Sequence, residues 1–156
     1  MILDVFIIAF LMSLVTKSTK CVFTRDYKLL YLFPIPIVLQ LLKNYYLMVL
    51  SFVLLAFLCF VNREIPGFKA IGAGTVLNGL VMSMNSGKMP AYEPFVNLLG
   101  LHVGSRHLVF EKFNLTNILG DYIPVILPWG RKFLISPGDV LVYIGVFLLF
   151  LSKKRC

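Results

Sequence analysis

Long apolar runs alternate along the chain with short polar breaks, most of them basic. Runs at residues 2–16, 29–42, 45–61, 68–84 and 138–151 predict five helices, each apolar enough to read as a membrane span. The first carries Asp4 near its start and is short for a hydrocarbon layer of about 30 Å, a mismatch that snorkelling of Lys17 or local thinning would accommodate. The second contains Pro34 and Pro36, which remove backbone donors and predict a kink or local unwinding. Lys43-Asn44 reads as a tight turn, with Tyr45 and Tyr46 placed as an interfacial belt would place them. The third run is the cleanest, with Ser51 and Cys59 as its weakly polar groups, and the Pro66-Gly67 pair closes the stretch behind it.

The fourth run differs in kind. Ala70, Gly72, Ala73, Gly74, Thr75, Gly79 and Ser83 make it rich in small residues, which let helix backbones approach closely. Asn78 and Asn85 stand two helical turns apart and share one face. The segment 85–137 is too apolar for a solvated loop and too broken by Gly, Pro and charge to span. It reads as a structured cap, interfacial or re-entrant. Ser136, Pro137 and Asp139 then announce the last helix: a cap residue, a proline in the first turn and an acid at the positive end of the dipole.

Composition sharpens this picture. The chain is 59% hydrophobic and 14% charged, with a mean hydropathy of +0.88, whereas soluble domains carry about 25% charged residues. The expected fold class is therefore an all-α membrane protein: one integral membrane domain over residues 1–156, with about five transmembrane helices and a structured cap between the last two. The net charge of +8 does not indicate nucleic acid, because the basic residues cluster beside apolar runs, as Lys17, Lys20, Arg25 and Lys28 do, and again Lys153, Lys154 and Arg155. Counting these clusters by the positive-inside rule predicts a multi-pass protein of the cell membrane, a bacterial inner membrane, with its N-terminus outside and its C-terminus cytoplasmic. The first run reads as a retained helix, since its positive residues follow it where a secretory signal has them in front.

Cys21, Cys59 and Cys156 have neither metal-ligand spacing nor a CxxC pair, and no disulfide framework is expected. Cys59 reads as a buried small hydrophobe. Cys21 and Cys156 lie beside basic clusters, where palmitoylation is conceivable. No metal and no cofactor are expected. His102 and His107 are five apart, a poor helical chelate, so the cluster His102, Arg106, His107 and Lys112 points first to a solvated surface and next to phosphate or anionic headgroup contact. The glycines of GAGTVLNG read as helix packing, because no strand precedes them. Asn114-Leu115-Thr116 fits a glycosylation sequon, a common chance match.

The candidate ligand-binding residues are Asn78, Asn85, Lys88, Arg106, Asp121 and Asp139. For the two amides, interhelical hydrogen bonding at about 1 kcal/mol each outweighs a shared polar cavity. For the two acids, helix capping outweighs a charged site completed by Lys88 or Arg106. The neighbours Gly87, Gly120, Gly138, Pro90, Pro124 and Pro137 predict that the junctions bearing Asn85, Asp121 and Asp139 converge in space.

The runs GTVLNGLVMSMNSGKMP, TNILGDYIP and ISPGDVLVYIGV resemble a family of small bacterial membrane proteins, the domain of unknown function 5317, over roughly the second half of the chain. The matching positions are Asn85, Gly87, Met89 and Pro90, then Gly120, Asp121 and Pro124, then Ser136, Gly138 and Asp139. The resemblance implies the architecture and the choice of residues, and no activity. The leading functional expectation is non-enzymatic: a bundle whose cap binds an anionic or lipid-like ligand, or an accessory subunit of a larger membrane complex or homo-oligomer, with membrane lipids as partners and no nucleic acid. A transporter or carrier subunit is the alternative, motivated by the proline-broken second helix beside an amide-bearing fourth. An enzyme acting on lipid headgroups through Asp121 or Asp139 with a histidine ranks last.

Overall fold

Residues 1–42 and 44–153 are described by the computed structural model. Its helices are α1 (Ile2–Val15), α2 (Thr19–Thr24), α3 (Pro34–Leu41), α4 (Tyr45–Val61), α5 (Phe68–Met84), α6 (Glu93–Leu99) and α7 (Pro137–Leu151). Four short strands lie between α5 and α7: β1 (Met89–Tyr92), β2 (His107–Phe110), β3 (Ile123–Ile126) and β4 (Lys132–Ile135).

The small residues of α5 place it at the centre, packed between α4 and α7. Gly67, which caps α5, and Gly74 within it are matched by Gly145 and Gly138 on α7, so the two backbones run antiparallel at close approach. A β-carbon on Gly67 would stand 2.1 Å from the Gly145 carbonyl oxygen. On the other side of α7, Val5 and Ala9 of α1 bury themselves against Val146. Cys59, Ile65 and Phe68 form a second cluster where α4 turns into α5. Met48, Val81, Met82 and Met89 form a third, beneath the cap.

The basic loop after α1 is structured. Ser18 Oγ donates to the Phe150 carbonyl at 2.7 Å. Arg25, only 6% exposed, donates to the Leu149 carbonyl at 2.6 Å and to that of Ser152. These donors satisfy carbonyls that the last turn of α7 cannot bond internally, and the guanidinium lies at the negative end of its dipole. Asn62 holds the next segment by exchanging hydrogen bonds with the backbone of Lys28 at 2.8 and 2.9 Å.

In the cap, β1 and β2 pair in parallel, Met89 opposite His107, with α6 as the crossover. Ala91 also bridges to Asp121 on its other side. Strands β3 and β4 form an antiparallel hairpin that pairs Ile123 with Ile135. Its turn is closed by Leu127 N donating to the Arg131 carbonyl at 2.8 Å. Rings of Tyr92, Phe95, Phe110, Phe113 and Tyr122 pack edge to face or tilted between these pieces, with centroids 5.0–5.5 Å apart.

Two expectations are corrected here. The fold is not all-α, because two two-stranded sheets stand in the segment expected to be a re-entrant or interfacial cap. Nor is it a bundle of membrane spans: among the described residues, no helix is long and apolar enough to cross a membrane. The longest, α4 and α5, have 17 residues each, a rise of about 25 Å against a hydrocarbon layer of about 30 Å. The first run ends in a 14-residue helix and the last in one of 15. The second run is a 3₁₀ turn, Leu30–Leu32, followed by eight residues of α3. Pro34 and Pro36 open α3 rather than kink a longer helix. The multi-pass cell-membrane location and the orientation drawn from the basic clusters fall with the spans. The expected turn at Lys43, the palmitoylation site at Cys156 and the tail residues Lys154 and Arg155 lie outside the described residues. Cys21 is disulfide-bonded, and Cys59 is a buried free thiol.

The surplus of apolar side chains is carried outward. Leu11, Val53, Phe57, Leu80, Ile144 and Leu148 are all exposed on the outer faces of α1, α4, α5 and α7.

Candidate functional site

The six candidate residues divide among four places. Asn78 and Asp139 come together at the junction of α5 and α7. Ser136 caps α7 by accepting from Asp139 N at 3.0 Å, while Asp139 Oδ2 accepts from Ser136 N at 3.2 Å, a complete capping box. Asn78 joins both members: its Nδ2 donates to Asp139 Oδ1 at 2.8 Å, and its Oδ1 accepts from Ser136 Oγ at 2.9 Å. Every polar atom of this trio has a partner, so it acts as a latch between two helices. Asn85 is also structural. It ends α5 and donates to the carbonyls of Val81 and Thr116 at 2.7 and 2.6 Å, tying the cap to the helix.

Asp121 has a different environment. Its backbone is fixed against β1, with Asp121 N donating to the Pro90 carbonyl at 2.7 Å and Tyr92 N to its own carbonyl at 2.9 Å. Gly120 permits this approach: a β-carbon there would meet the Pro90 oxygen at 2.5 Å. The Asp121 side chain is turned inward and only 6% of the residue is exposed. Its Oδ1 has no hydrogen-bond partner among the described residues, and its Oδ2 lies 3.7 Å from His107 Nε2. Asp121 and His107 line a cavity of about 200 Å³ between α6, β2 and β4. His102 and Lys132 are the other polar groups on its wall, and Val96, Leu101 and Phe133 are among the apolar ones.

The charge state follows from burial. Loss of solvation pushes the Asp121 carboxyl up to about 8, helped by the negative charge of Asp139. Burial, with the positive charge of Arg106, holds His107 below the ordinary histidine range. At neutral pH the two groups therefore face each other uncharged, and 3.7 Å is too long for a direct hydrogen bond. Asp121 is an O–H donor, and His107 keeps a ring nitrogen free to accept or donate. Lys132 supplies the positive charge, its Nζ anchored on the Leu99 carbonyl at 3.4 Å. Tyr143 of α7 lies in the field of the same acids: burial, and then Asp139, Asp121 and Asp4, raise its phenol above the usual tyrosine range.

Lys88 and Arg106 do not serve as counter-charges to the acids. Both line a separate cavity with Tyr45, Ser86 and Ser105. Lys132 and the pairing of His107 with Asp121 had no signal in the sequence beyond residue type. The chain must first fold through α6 and the bridge at Ala91 before residues fourteen apart can meet. Among the described residues, no group of three or more His, Cys, Asp or Glu side chains could hold a metal ion.

A helical bundle bearing a small β cap with a buried carboxyl in its cavity is thus the class that fold and site define. The chain belongs to the family described as "Family of unknown function (DUF5317)", which it matches over residues 1–151, well beyond the half that carries the motifs. It is 55% identical over 157 aligned positions, 99% of this chain and 93% of the relative, to an "Uncharacterized protein" from Thermotoga maritima. No solved structure matches it.

Proposed function

We propose that this is a non-enzymatic binding protein whose cap cavity takes a small anion with an apolar tail, a short-chain carboxylate being the best fit. The observation that carries the reading is the buried Asp121 carboxyl on the wall of a largely apolar chamber, with one oxygen that has no hydrogen-bond partner among the described residues. A buried polar atom without a partner costs about 1–3 kcal/mol, and a ligand that accepts its proton removes that cost. Lys132 matches the charge of a carboxylate, protonated Asp121 donates to one of its oxygens, and Val96, Leu101 and Phe133 enclose the tail. At about 200 Å³ the chamber is smaller than a typical drug-sized pocket of roughly 300–1,000 Å³, so the ligand is small. Binding is favoured over turnover because no hydroxyl or thiol nucleophile lines this wall.

Calorimetric titration with butyrate and hexanoate tests the reading. Saturable binding to the wild type is expected, with an affinity loss of about tenfold in Lys132→Gln. Equal heats in wild type and Lys132→Gln would remove the cavity from consideration.

A further inference from the structure

Arg106 and His107 are neighbours in sequence, yet they line different cavities. Arg106 ends the turn that leads into β2, closed by His107 N donating to the Gly104 carbonyl at 3.0 Å, and it lines a second chamber of about 370 Å³. Its wall includes Tyr45, Ser86, Gly87, Lys88, Ser105 and Arg106. No carboxylate is among the residues lining it.

The backbone brings the two cations together. Ser86 has φ +53° and Gly87 φ +77°. Two successive left-handed residues, one of them not glycine, make a sharp and strained reversal. The chain then runs beside Arg106, and Met89 N donates to the Arg106 carbonyl at 2.8 Å. Gly87 has no room for a side chain, since a β-carbon would stand 2.8 Å from the Tyr45 ring. That ring forms one wall of the chamber. Arg106 Nη2 is anchored on the Gln40 carbonyl at 2.9 Å, and its other N–H groups make no protein hydrogen bond among the described residues. The Lys88 amine also has none. Two like charges held beside each other without an acid repel, and an anion between them removes the repulsion.

We propose that this chamber is a second binding site, for a phosphate monoester. The phosphate dianion matches two cations. The planar guanidinium offers paired donors to phosphate oxygens, the Ser86 and Ser105 hydroxyls are further donors, and Tyr45 flanks the organic part. The site is independent of the carboxylate chamber, but Arg106 links the two through its charge, which acts on His107.

Calorimetry with inorganic phosphate and with glycerol 3-phosphate tests this, alongside co-sedimentation with phosphatidylcholine vesicles with and without phosphatidic acid. Saturable binding of the soluble monoester, weakened about tenfold in Lys88→Gln and in Arg106→Gln but not in Lys69→Gln, assigns a soluble ligand. Binding confined to phosphatidic acid vesicles, with the same dependence on Lys88 and Arg106, assigns the same group on a lipid. The imidazole signals of His107 give a second readout: its titration should move upward when phosphate is added to the wild type. In Arg106→Gln it should start above the wild-type position, still held down by burial, and not respond to phosphate. No saturation by any of these probes below about 10 mM, or equal binding by Lys88→Gln and wild type, would overturn the proposal.

Discussion

A β-carbon on Gly74 of α5 would lie 2.2 Å from the carbonyl oxygen of Gly138 on α7. The same Gly138 leaves no room for a side chain of its own, since its β-carbon would stand 2.0 Å from Asn78 Oδ1. The close approach of these helices is what lets an amide on one reach a capping box on the other. Gly74→Ala should separate them, lowering unfolding free energy by about 1–3 kcal/mol, the usual cost of overpacking, or more because the obstacle is backbone. Urea denaturation measures it. An unchanged midpoint would mean that the helices slide apart freely.

Asn78→Leu removes both links to α7. It leaves Asp139 Oδ1 and the Ser136 O–H without their partners, while the capping bond from Asp139 N to Ser136 Oγ stays, at a cost of roughly 2–4 kcal/mol. Asn78→Asp should cost at least as much, because it sets a second carboxylate against Asp139. Ser51, the weakly polar residue on the neighbouring helix, is fully buried, with its Oγ on the Met48 carbonyl at 2.6 Å, so Ser51→Leu also destabilises by overpacking. Ser51→Ala is the mild control. Equal midpoints for Asn78→Leu and Ser51→Ala would contradict the latch.

These residues show how far the sequence can be read. The helix at residues 68–84 is legible because small residues and apolar bulk repeat without a breaker until Asn85. The start of α7 is legible because Ser136, Pro137 and Asp139 are local signals, each acting within one turn. The cap is not legible. Its strands have four residues each, too few for alternation to stand out, and β1 finds β2 only through the intervening α6. The cavity inherits that opacity: Asp121 reads as a helix-start acid, while its real neighbours, His107 and Lys132, come from two other strands. The membrane reading failed for another reason. Apolar content points to a membrane, but the runs are short, the longest, 45–61 and 68–84, having 17 residues each, and helices of that length fall short of a hydrocarbon layer of about 30 Å.

Stability should depend on pH through Asp121. Its folded carboxyl titrates at about 8 against an ordinary 3.8, so between those values the folded state holds a proton that the unfolded state has released. Unfolding free energy therefore falls as pH rises from about 4 to about 8, then levels off. Asp121→Asn removes that slope. The variant should be the more stable one above pH 8, by an amount on the order of a few kcal/mol. Thermal melts of both proteins from pH 5 to about 9 measure the crossing. Parallel curves would show that Asp121 is charged and solvated.

Ligand binding should share this dependence. An anion is held by the protonated acid, so butyrate affinity should fall as pH passes about 8 in the wild type and stay level over that range in Asp121→Asn, whose amide still donates. A wild-type affinity that rises with pH would reverse the assigned role.

The most direct measurement is the carboxyl carbon signal of Asp121 in isotope-labelled protein, followed through a pH titration with and without butyrate. The account predicts a midpoint at about 8 in the free protein and a higher one with butyrate bound, because the ligand accepts the proton that Asp121 keeps. A midpoint near 3.8, unmoved by butyrate, would contradict it.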